Sequence, residues 1–380
     1  MAQYEVVVVG AGVFGSWTAW HLARAGKSVL LLDALGPGHA RSSSGGESRI
    51  LRMGYGPDAI YTNMAWRSLT LWRELIGPLF HRTGVLWLAR EGDPYSNATR
   101  RTLESASVPI EILAAREIAK RYPQIQLSSR HDHAIFEPEA GALLARRAVA
   151  AVVEDAVSQG VEYALEAVES PTGSGSLPSL RTLSGNSIRA TTFVFACGPW
   201  LPKLFPALLG DRIRPSRQEV FFFSPPPGDP RFAPPQLPVW IDFTEPRGPY
   251  GFPDLESRGC KLAFDRHGPP FDPDNGDRRI FDAGVREARA FLAERFPALS
   301  QAPLTEFRVC QYENTSNGDF LIDRHPDFEN VWLAGGSSGH GFKHGPAVGE
   351  YLSARILSGG PVDPRFSLES KGRSENRTVY

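Results

Sequence analysis

The sequence contains little cysteine, and its cysteines are not grouped. The 380 residues include only Cys197, Cys260 and Cys310, which lie far apart in the chain and form no CxxC pair. An odd number of scattered cysteines argues against a disulfide framework and against a structural zinc site. The low cysteine content is typical of a protein from a reducing compartment.

Net charge and long apolar runs are lacking too. The net charge is -1, and no block of lysine and arginine stands out. Binding to nucleic acid or to an anionic membrane is therefore disfavoured. No apolar stretch is long enough to span a bilayer, and the first residues, MAQYEVVVVGAG, lack the basic region and cleavage site of a signal peptide. We expect a cytoplasmic protein whose partner is a small molecule.

Motifs of metal and nucleophilic catalysis are also absent. The sequence has no HExxH, no Ser/His/Asp nucleophile spacing and no paired catalytic carboxylates. The HDH at 131–133 falls in a polar loop without a third ligand pattern. We therefore expect no metal site, and the chemistry should reside in a bound cofactor.

The composition itself is that of an ordinary globular protein, with 42% hydrophobic and 22% charged residues. The length exceeds what one hydrophobic core usually supports, so we expect two cores or one large interleaved α/β unit.

The N-terminal region predicts one βαβ unit. A β-branched run at 5–9 precedes a glycine turn, a helical pattern at 16–25 ends at Gly26, and a second strand at 28–32 closes on Asp33.

The turn carries the motif GAGVFG, with Gly10, Gly12 and Gly15. It follows a strand and opens a helix, so backbone N–H groups and the helix dipole can face a pyrophosphate. Asp33, near the expected ~20 residues further on, can accept a ribose hydroxyl. The motif predicts dinucleotide binding but does not distinguish NAD from FAD, and a tight turn that only packs a helix is the alternative.

The rest of the chain alternates between two kinds of segment. The α/β kind comprises a helix at 142–158, a strand at 161–168, strands at 191–200 and 330–336, and a turn and helix at 337–357. Short aromatic strands between Pro/Gly turns, at 84–90 and over most of 215–318, predict an antiparallel sheet. We expect a discontinuous nucleotide-binding domain formed by 1–83, 141–214 and 319–380, with a sheet domain inserted as 84–140 and 215–318.

Several further motifs are specific. They are the first 56 residues taken together, TGV at 83–85, FEPEAG at 136–141, VFACGPW at 194–200, FLIDRHP at 320–326 and GHGFK at 339–343. Together they resemble the monomeric sarcosine oxidase family within the wider D-amino acid oxidase group. The family includes sarcosine, N-methyltryptophan, pipecolate and fructosyl amino acid oxidases. The resemblance implies an α/β (α+β) fold with a Rossmann-like FAD-binding domain, and oxidation of the C–N bond of a secondary or N-methyl amino acid by O2. It also implies a monomer.

The resemblance implies a covalent flavin. Cys310, in RVCQY, stands where relatives attach the flavin 8α-methyl group as a thioether. A lone cysteine is otherwise an inert buried side chain. Gln311 and Glu313 depart from the commoner family residues, which leaves the nearby cavity lining open.

The resemblance also gives roles to basic residues. Arg49 resembles the residue that lies over the flavin, and Gly45 stands where relatives often have histidine. Arg52 and Lys343 resemble the ligands of the substrate carboxylate, for which a guanidinium fork is well suited. Lys261 resembles the lysine above the flavin where O2 is reduced, since a fixed cation favours formation of superoxide. The alternative for each is an ordinary surface or strand residue.

Asp265 departs from a family in which several relatives have histidine at this point. His267 follows two residues later and could substitute if the segment is extended, because alternate residues of a strand share a face. Asp265 could instead select a substrate with a hydroxyl or cationic group, or be a turn residue.

The resemblance thus implies three sets of site residues. The catalytic set is Lys261, Arg49, Tyr250 and Asp265. The substrate-binding set is Arg52, Lys343, Tyr312 and His340. The cofactor-binding set is Gly10, Gly12, Val13, Phe14, Gly15, Asp33, Ala34, Ser43, Ser44, Arg49, Val168, Gly198, Trp200, Cys310, Gly339, Gly341, Phe342 and Lys343. Two alternatives stay open: a flavin dehydrogenase or biosynthetic enzyme that uses another electron acceptor, and a dinucleotide-binding module without turnover.

Overall fold

A computed structural model describes residues 3–375, which form α-helices and β-strands in several sheets. The strands are β1 (Tyr4–Val9), β2 (Val29–Asp33), β3 (Arg49–Leu51), β4 (Phe80–His81), β5 (Val85–Ala89), β6 (Glu111–Ala114), β7 (His133–Glu137), β8 (Gly141–Leu143), β9 (Glu162–Leu165), β10 (Leu180–Arg181), β11 (Ser187–Ile188), β12 (Ala190–Phe195), β13 (Ile213–Phe223), β14 (Val239–Asp242), β15 (Pro249–Phe252), β16 (Cys260–Phe264), β17 (Leu304–Thr315), β18 (Leu321–Arg324) and β19 (Val331–Gly335). The helices are α1 (Val13–Arg24), α2 (Ala59–Ile76), α3 (Pro94–Ser105), α4 (Ala115–Arg121), α5 (Ala145–Ser158), α6 (Leu201–Leu204), α7 (Pro206–Leu209), α8 (Asp282–Arg295) and α9 (Gly345–Ser358).

The first sheet has six strands in the order β18-β19-β12-β1-β2-β9. All neighbouring pairs are parallel except β18 with β19. Residues 6–9 of β1 are buried, as expected of a central parallel strand covered on both faces. The predicted βαβ unit is present as β1, α1 and β2.

The second sheet has eight strands in the order β17-β13-β16-β15-β14-β5-β7-β6. Strands β13 and β17 are the longest, and they pair antiparallel along their whole length. Strands β5 and β14 are parallel, so the sheet is mixed rather than wholly antiparallel. They belong to two distant parts of the chain, and a long connection allows either strand direction.

Two local predictions need correction. Residues 141–143 form strand β8, not the start of a helix, and α5 begins only at Ala145. Ala142 and Leu143 suit a buried strand as well as a helix, and pairing with β3 and β4 decides between them. Helix α8 lies within 215–318, where an antiparallel sheet was predicted, and α2 lies in a segment for which no element was predicted. The domain boundaries at 83, 140, 214 and 318 stay a prediction.

Helices α1 and α9 pack closely on the parallel sheet. Gly349 of α9 lies against Trp17 of α1, and a Cβ at Gly349 would lie only 2.6 Å from the Trp17 carbonyl carbon. Trp17 is fully buried, and its ring meets Trp72 of α2 edge to face. This contact fixes α1, whose first turn follows the glycine loop. Within residues 3–375, no helix combines the length and apolarity needed to cross a membrane.

Gly349→Ala should destabilise the protein, because its methyl group would overlap the Trp17 backbone. Overpacking of this kind costs about 1–3 kcal/mol. Denaturant unfolding of the holoprotein measures the change. Gly77→Ala is the matched control, since a Cβ there meets no atom within 4 Å. Equal stability of the two variants would contradict the close helix contact.

Candidate active site

A cavity of about 390 Å³ opens at the carboxyl ends of β1, β2 and β12. Strand β1 lies between β2 and β12, so this is the point where the strand order reverses and where open α/β sheets bind their ligands. Most of the predicted cofactor contacts line it: Gly10, Gly12, Val13, Phe14, Asp33, Ala34, Ser43, Ser44, Arg49, Val168, Gly198, Trp200, Gly339, Gly341 and Phe342.

The glycine loop is tightly fitted beneath this cavity. Gly10 has φ +103, and a Cβ there would lie 2.4 Å from the Ala196 carbonyl oxygen. At Gly15 a Cβ would lie 1.8 Å from the Gly10 carbonyl oxygen, so Gly15 serves the packing of α1 and does not line the cavity. The Val13 N–H donates to Ser44 Oγ at 3.1 Å. Only glycine allows this approach of the loop, α1 and β12.

Asp33 ties the loop to the end of β2. Its carboxylate accepts hydrogen bonds from the backbone N–H groups of Ala11, at 2.7 Å, and of Leu35 and Gly36, at 2.8 and 2.7 Å. A carboxylate has about four acceptor positions, so one remains for a ribose hydroxyl. A helix N-terminus, loop amides and an acid at the end of β2 together fit a dinucleotide such as FAD.

A second cavity, also of about 390 Å³, adjoins the first. Arg49, Tyr312, Gly339 and Phe342 line both cavities. The eight residues predicted to bind substrate or to take part in catalysis all line the second cavity: Arg49, Arg52, Tyr250, Lys261, Asp265, Tyr312, His340 and Lys343. They come from the eight-stranded sheet, from the short strand β3 and the residues after it, and from the loop before α9. Apolar and aromatic residues, Ile50, Tyr95, Ile241, Phe243 and Phe252, complete the wall.

One end of the second cavity holds two buried cations. The Arg52 guanidinium lies over the rings of Tyr55 and Trp87, at 4.3 and 4.7 Å, and donates to the Gly54 carbonyl. Lys343 Nζ donates to the Tyr55 hydroxyl at 2.7 Å and to the His340 carbonyl at 2.8 Å. Burial, and then the charge of Arg52, lowers the pKa of Lys343 well below its usual value. An anionic ligand would offset this positive charge.

A second pair of basic residues, Arg49 and Lys261, also lines the second cavity, and Arg49 lines the first as well. Arg49 donates to the carbonyl oxygens of Ser43, at 2.7 Å, and Ser48, at 2.8 Å. Its Nη2 also lies 3.4 Å from Cys310 Sγ. Lys261 Nζ donates to the Ser48 carbonyl at 2.9 Å, and burial followed by repulsion from Arg49 lowers its pKa well below the usual value. Cys310 itself lines neither cavity, although Arg49, which it contacts, lines both.

Tyrosine and aspartate form a third group. The Tyr312 hydroxyl donates to Asp265 Oδ1 at 3.0 Å, beside Tyr250. Burial, and then the charge of Asp265, raises the pKa of Tyr250 to about 12, so its hydroxyl is neutral at ordinary pH. Gly339, with φ +83, lies against Tyr312, since a Cβ there would be 2.6 Å from the ring.

The proposal that His267 replaces the missing histidine is wrong. Strand β16 ends at Phe264, so the alternation of faces does not continue to residue 267. His267 Nδ1 lies 3.0 Å from Glu375, and His267 lines a different cavity. Gly45, the other departure, has no room for a side chain, because a Cβ would lie 1.9 Å from the His39 carbonyl oxygen.

The HDH segment is also less exposed than its polar sequence indicates. His131 is buried and pairs with Asp242 at 3.1 Å, and Arg295 contacts the same carboxylate at 3.0 Å. In the described part of the chain, no three His, Cys, Asp or Glu side chains are placed to share a metal ion.

Sequence reasoning missed Glu137, which holds the Arg52 loop in place. Glu137 is fully buried and accepts from the N–H groups of Met53, at 2.7 Å, and Gly54, at 3.2 Å, and from Trp87 Nε1, at 2.7 Å. The sequence does contain a signal that Glu137 is buried. Glu137 follows the apolar Ile135 by two residues in a strand, so both side chains lie on the same face. The sequence FEPEAG was noted only for its resemblance.

Comparison with known families identifies the type of cofactor. The profile of the family described as DAO, FAD dependent oxidoreductase, matches residues 5–355. The chain belongs to this family. It is therefore an FAD-dependent oxidoreductase, and the first cavity is the place whose residues fit FAD.

Named relatives of this FAD-dependent oxidoreductase cover nearly its whole length. The monomeric sarcosine oxidase of Bacillus sp. (strain B-0618) is 35% identical, over 94% of this chain and 93% of the relative. Human peroxisomal sarcosine oxidase is 30% identical, over 92% and 91%. The N-methyl-L-tryptophan oxidase of Yersinia pestis (strain Pestoides F) is 28% identical, over 92% and 93%.

Solved structures of similar fold include two with low sequence identity. The L-proline dehydrogenase of P. horikoshii superposes with a TM-score of 0.83 and 22% identity, over 97% of both chains. Fructosamine oxidase (Amadoriase II) of Aspergillus fumigatus has a TM-score of 0.80 and 22% identity, over 96% of this chain and 89% of its own. These confirm the α/β fold predicted for this oxidoreductase.

Glu137→Gln should weaken both the fold and the site. It puts an NH2 group where an acceptor oxygen faces backbone N–H groups, and an unsatisfied buried donor costs about 1–3 kcal/mol. We expect a loss of that size in the free energy of unfolding, measured with denaturant. Glu329→Gln, at an exposed position, is the control. Unchanged stability of Glu137→Gln would show that the carboxylate does not hold the Arg52 loop.

Proposed function

We propose that this FAD-dependent oxidoreductase oxidises the C–N bond of a secondary or N-methyl amino acid to an imine, with O2 as the electron acceptor. The observation that carries the proposal is the second cavity. It adjoins the dinucleotide cavity, has two buried cations at one end, and includes the Asp265 carboxylate in its wall. A zwitterionic amino acid complements this distribution of charge.

Arg52 and Lys343 bind the substrate carboxylate in this proposal. Arg52 offers a planar fork suited to two parallel hydrogen bonds, and its guanidinium is held over Tyr55 and Trp87. Lys343 adds a point charge, and a bound carboxylate would favour its protonated form, since burial otherwise lowers the pKa of Lys343. The two cations thus orient the substrate as well as bind it.

The shared wall of the two cavities is where the substrate meets the cofactor. Arg49, Tyr312, Gly339 and Phe342 form that wall. The chemistry that bound FAD supplies is acceptance of a hydride equivalent from the substrate C–H bond and delivery of the two electrons to O2, giving H2O2. Anchoring the carboxylate against this wall makes the transfer effectively intramolecular. Water then hydrolyses the released imine.

Lys261 is the residue we assign to the reduction of O2. Its amino group is buried beside Arg49 and lies 4.3 Å above the ring of Phe252, and burial lowers the pKa of Lys261. In its protonated form it would favour formation of the superoxide anion in this site of low polarity.

Asp265 bears on which substrate the cavity takes. It gives the cavity wall a carboxylate, which accepts a hydrogen bond from the Tyr312 hydroxyl at 3.0 Å. A carboxylate accepts hydrogen bonds and favours a nearby cation. We infer a substrate with a hydroxyl or a cationic group near Asp265, in preference to simple sarcosine.

We also propose that FAD is attached through Cys310. The thiol lies 3.4 Å from Arg49 Nη2, and Arg49 lines the cavity that fits FAD. Cys310 is half-buried, whereas Cys260 is buried in the second sheet. The enzyme is further proposed to act as a cytoplasmic monomer, in line with its near-neutral charge and with the name of the Bacillus relative.

A panel of secondary and N-methyl amino acids tests the reaction. Under anaerobic conditions a substrate should bleach the yellow flavin absorbance, and in air it should give one H2O2 per turnover. Bleaching without peroxide would assign another electron acceptor. Absence of bleaching with every amine and amino acid of the panel would overturn the proposal.

Arg52→Met should raise KM at least tenfold, roughly 1.4 kcal/mol of lost binding, because the substrate carboxylate loses its bidentate partner. Steady-state kinetics with the best substrate of the panel measures the change. Arg24→Met is the matched control, because Arg24 also lies over a tryptophan ring but outside the cavity. An unchanged KM would exclude carboxylate capture by Arg52.

Acid precipitation tests the tether. The wild-type pellet should stay yellow, while Cys310→Ser should release its flavin to the supernatant, because only a thioether survives denaturation. Cys260→Ser serves as control, since Cys260 lies outside both cavities. A colourless wild-type pellet would contradict attachment at Cys310.

A further inference from the structure

Glu313 is a buried acid in the wall of the cavity that fits FAD. Its side chain on β17 is only 4% exposed. Oε1 accepts from the Ser337 N–H at 3.3 Å, but Oε2 has no hydrogen-bond partner among the described residues. Because an unsatisfied buried polar atom is costly, its presence in a cavity wall points to a ligand group.

The surrounding backbone leaves space for this carboxyl group. Gly198, with φ +53, and Gly335 both lie beside Oε2. A Cβ at Gly198 would lie 3.3 Å from Oε2, and a Cβ at Gly335 would lie 3.7 Å from it. Gly198 belongs to the turn after β12, next to Cys197, while Gly10 packs on Ala196 of the same segment. Glu313 is therefore placed on the side of the cavity that carries the glycine loop and the N-terminus of α1.

An ionised Glu313 would be unfavourable there. Burial raises the pKa of Glu313 to about 7, so the carboxyl group is easily protonated. The N-terminus of α1 and the loop amides attract phosphate, and a carboxylate beside them would repel it. A protonated carboxyl group has one O–H donor and removes this repulsion.

We propose that Glu313 holds a proton when FAD is bound and donates a hydrogen bond from Oε2 to an oxygen of the cofactor's ribityl-pyrophosphate portion. FAD binding then takes up one proton whenever Glu313 is ionised beforehand. The proposal depends only on FAD as cofactor and not on which amine is oxidised.

The proton linkage has a definite sign. Above about pH 7 the cofactor-free protein has an ionised Glu313, and binding must first protonate it. The Kd for FAD should therefore rise with pH, by up to about tenfold per pH unit, and level off below pH 7.

Other titratable groups line the same cavity. They are Asp33, Arg49, Glu166, Cys197, Lys203, Asp274 and Tyr312. None is a histidine, and burial raises the pKa of both Cys197 and Tyr312 above the usual values. A change of FAD affinity near neutral pH is thus attributable to Glu313.

The test is the pH dependence of FAD release. Cys310→Ser holoprotein, which keeps the cofactor exchangeable, is diluted at pH 6 to 9, and the Kd follows from the recovered flavin fluorescence. We expect the Kd to rise at least tenfold between pH 7 and 9. Adding Glu313→Gln, which keeps an N–H donor but cannot ionise, should abolish that rise and keep the low-pH affinity.

A second variant separates hydrogen bonding from packing. Glu313→Leu in the same background should bind FAD at least fivefold more weakly than Glu313→Gln at every pH. Its Kd for FAD should not rise with pH. The proposal is overturned if the Kd of the Glu313→Gln protein for FAD still rises with pH, or if the Kd of the Cys310→Ser parent does not. It is also overturned if the Leu and Gln variants bind FAD equally. Because no amine is needed, failure of the proposed oxidase reaction would not affect these outcomes.

Discussion

Buried positive charge is the constraint on which the second cavity depends. Arg52 and Lys343 are both more than nine-tenths buried, and desolvation of such groups is expensive unless other groups stabilise them. Aromatic rings, the Tyr55 hydroxyl and backbone carbonyls surround them, and Glu137 fixes the loop that carries Arg52. These contacts hold the two basic side chains at one end of the cavity, where an anionic ligand would offset their charge. The proposed binding of a substrate carboxylate rests on this arrangement.

The remaining chemistry depends on where the two sheets meet. The parallel sheet supplies the glycine loop and Asp33, while β15, β16 and β17 of the mixed sheet supply Tyr250, Lys261 and Tyr312. Arg49, on the short β3, contacts both the dinucleotide cavity and the second cavity. The boundary between the cavities is formed by Arg49 of β3, Tyr312 of β17, and Gly339 and Phe342 of the segment between β19 and α9. Elements from distant parts of the chain thus separate the two cavities.

Two acidic residues stand in the walls of the two cavities. Asp265 adds a carboxylate to the second cavity, and Glu313 adds one to the first. The sequence shows both residues but not their environments. Asp265 accepts a hydrogen bond from the Tyr312 hydroxyl, whereas Glu313 Oε2 has no hydrogen-bond partner among the described residues, so two similar side chains have different surroundings.

The sequence by itself determined the βαβ unit and the dinucleotide loop, because a glycine motif with strand and helix periodicity is a local signal. It also identified eight residues that line the second cavity, because each lies in or beside a motif that resembles the family. Only the tertiary structure decided that residues 141–143 form a strand, that His267 lines another cavity, that Glu137 holds the loop of Arg52, and that Glu313 is buried in the wall of the first cavity. Those outcomes depend on pairing, burial and hydrogen-bond partners far away in the chain, which no local pattern encodes.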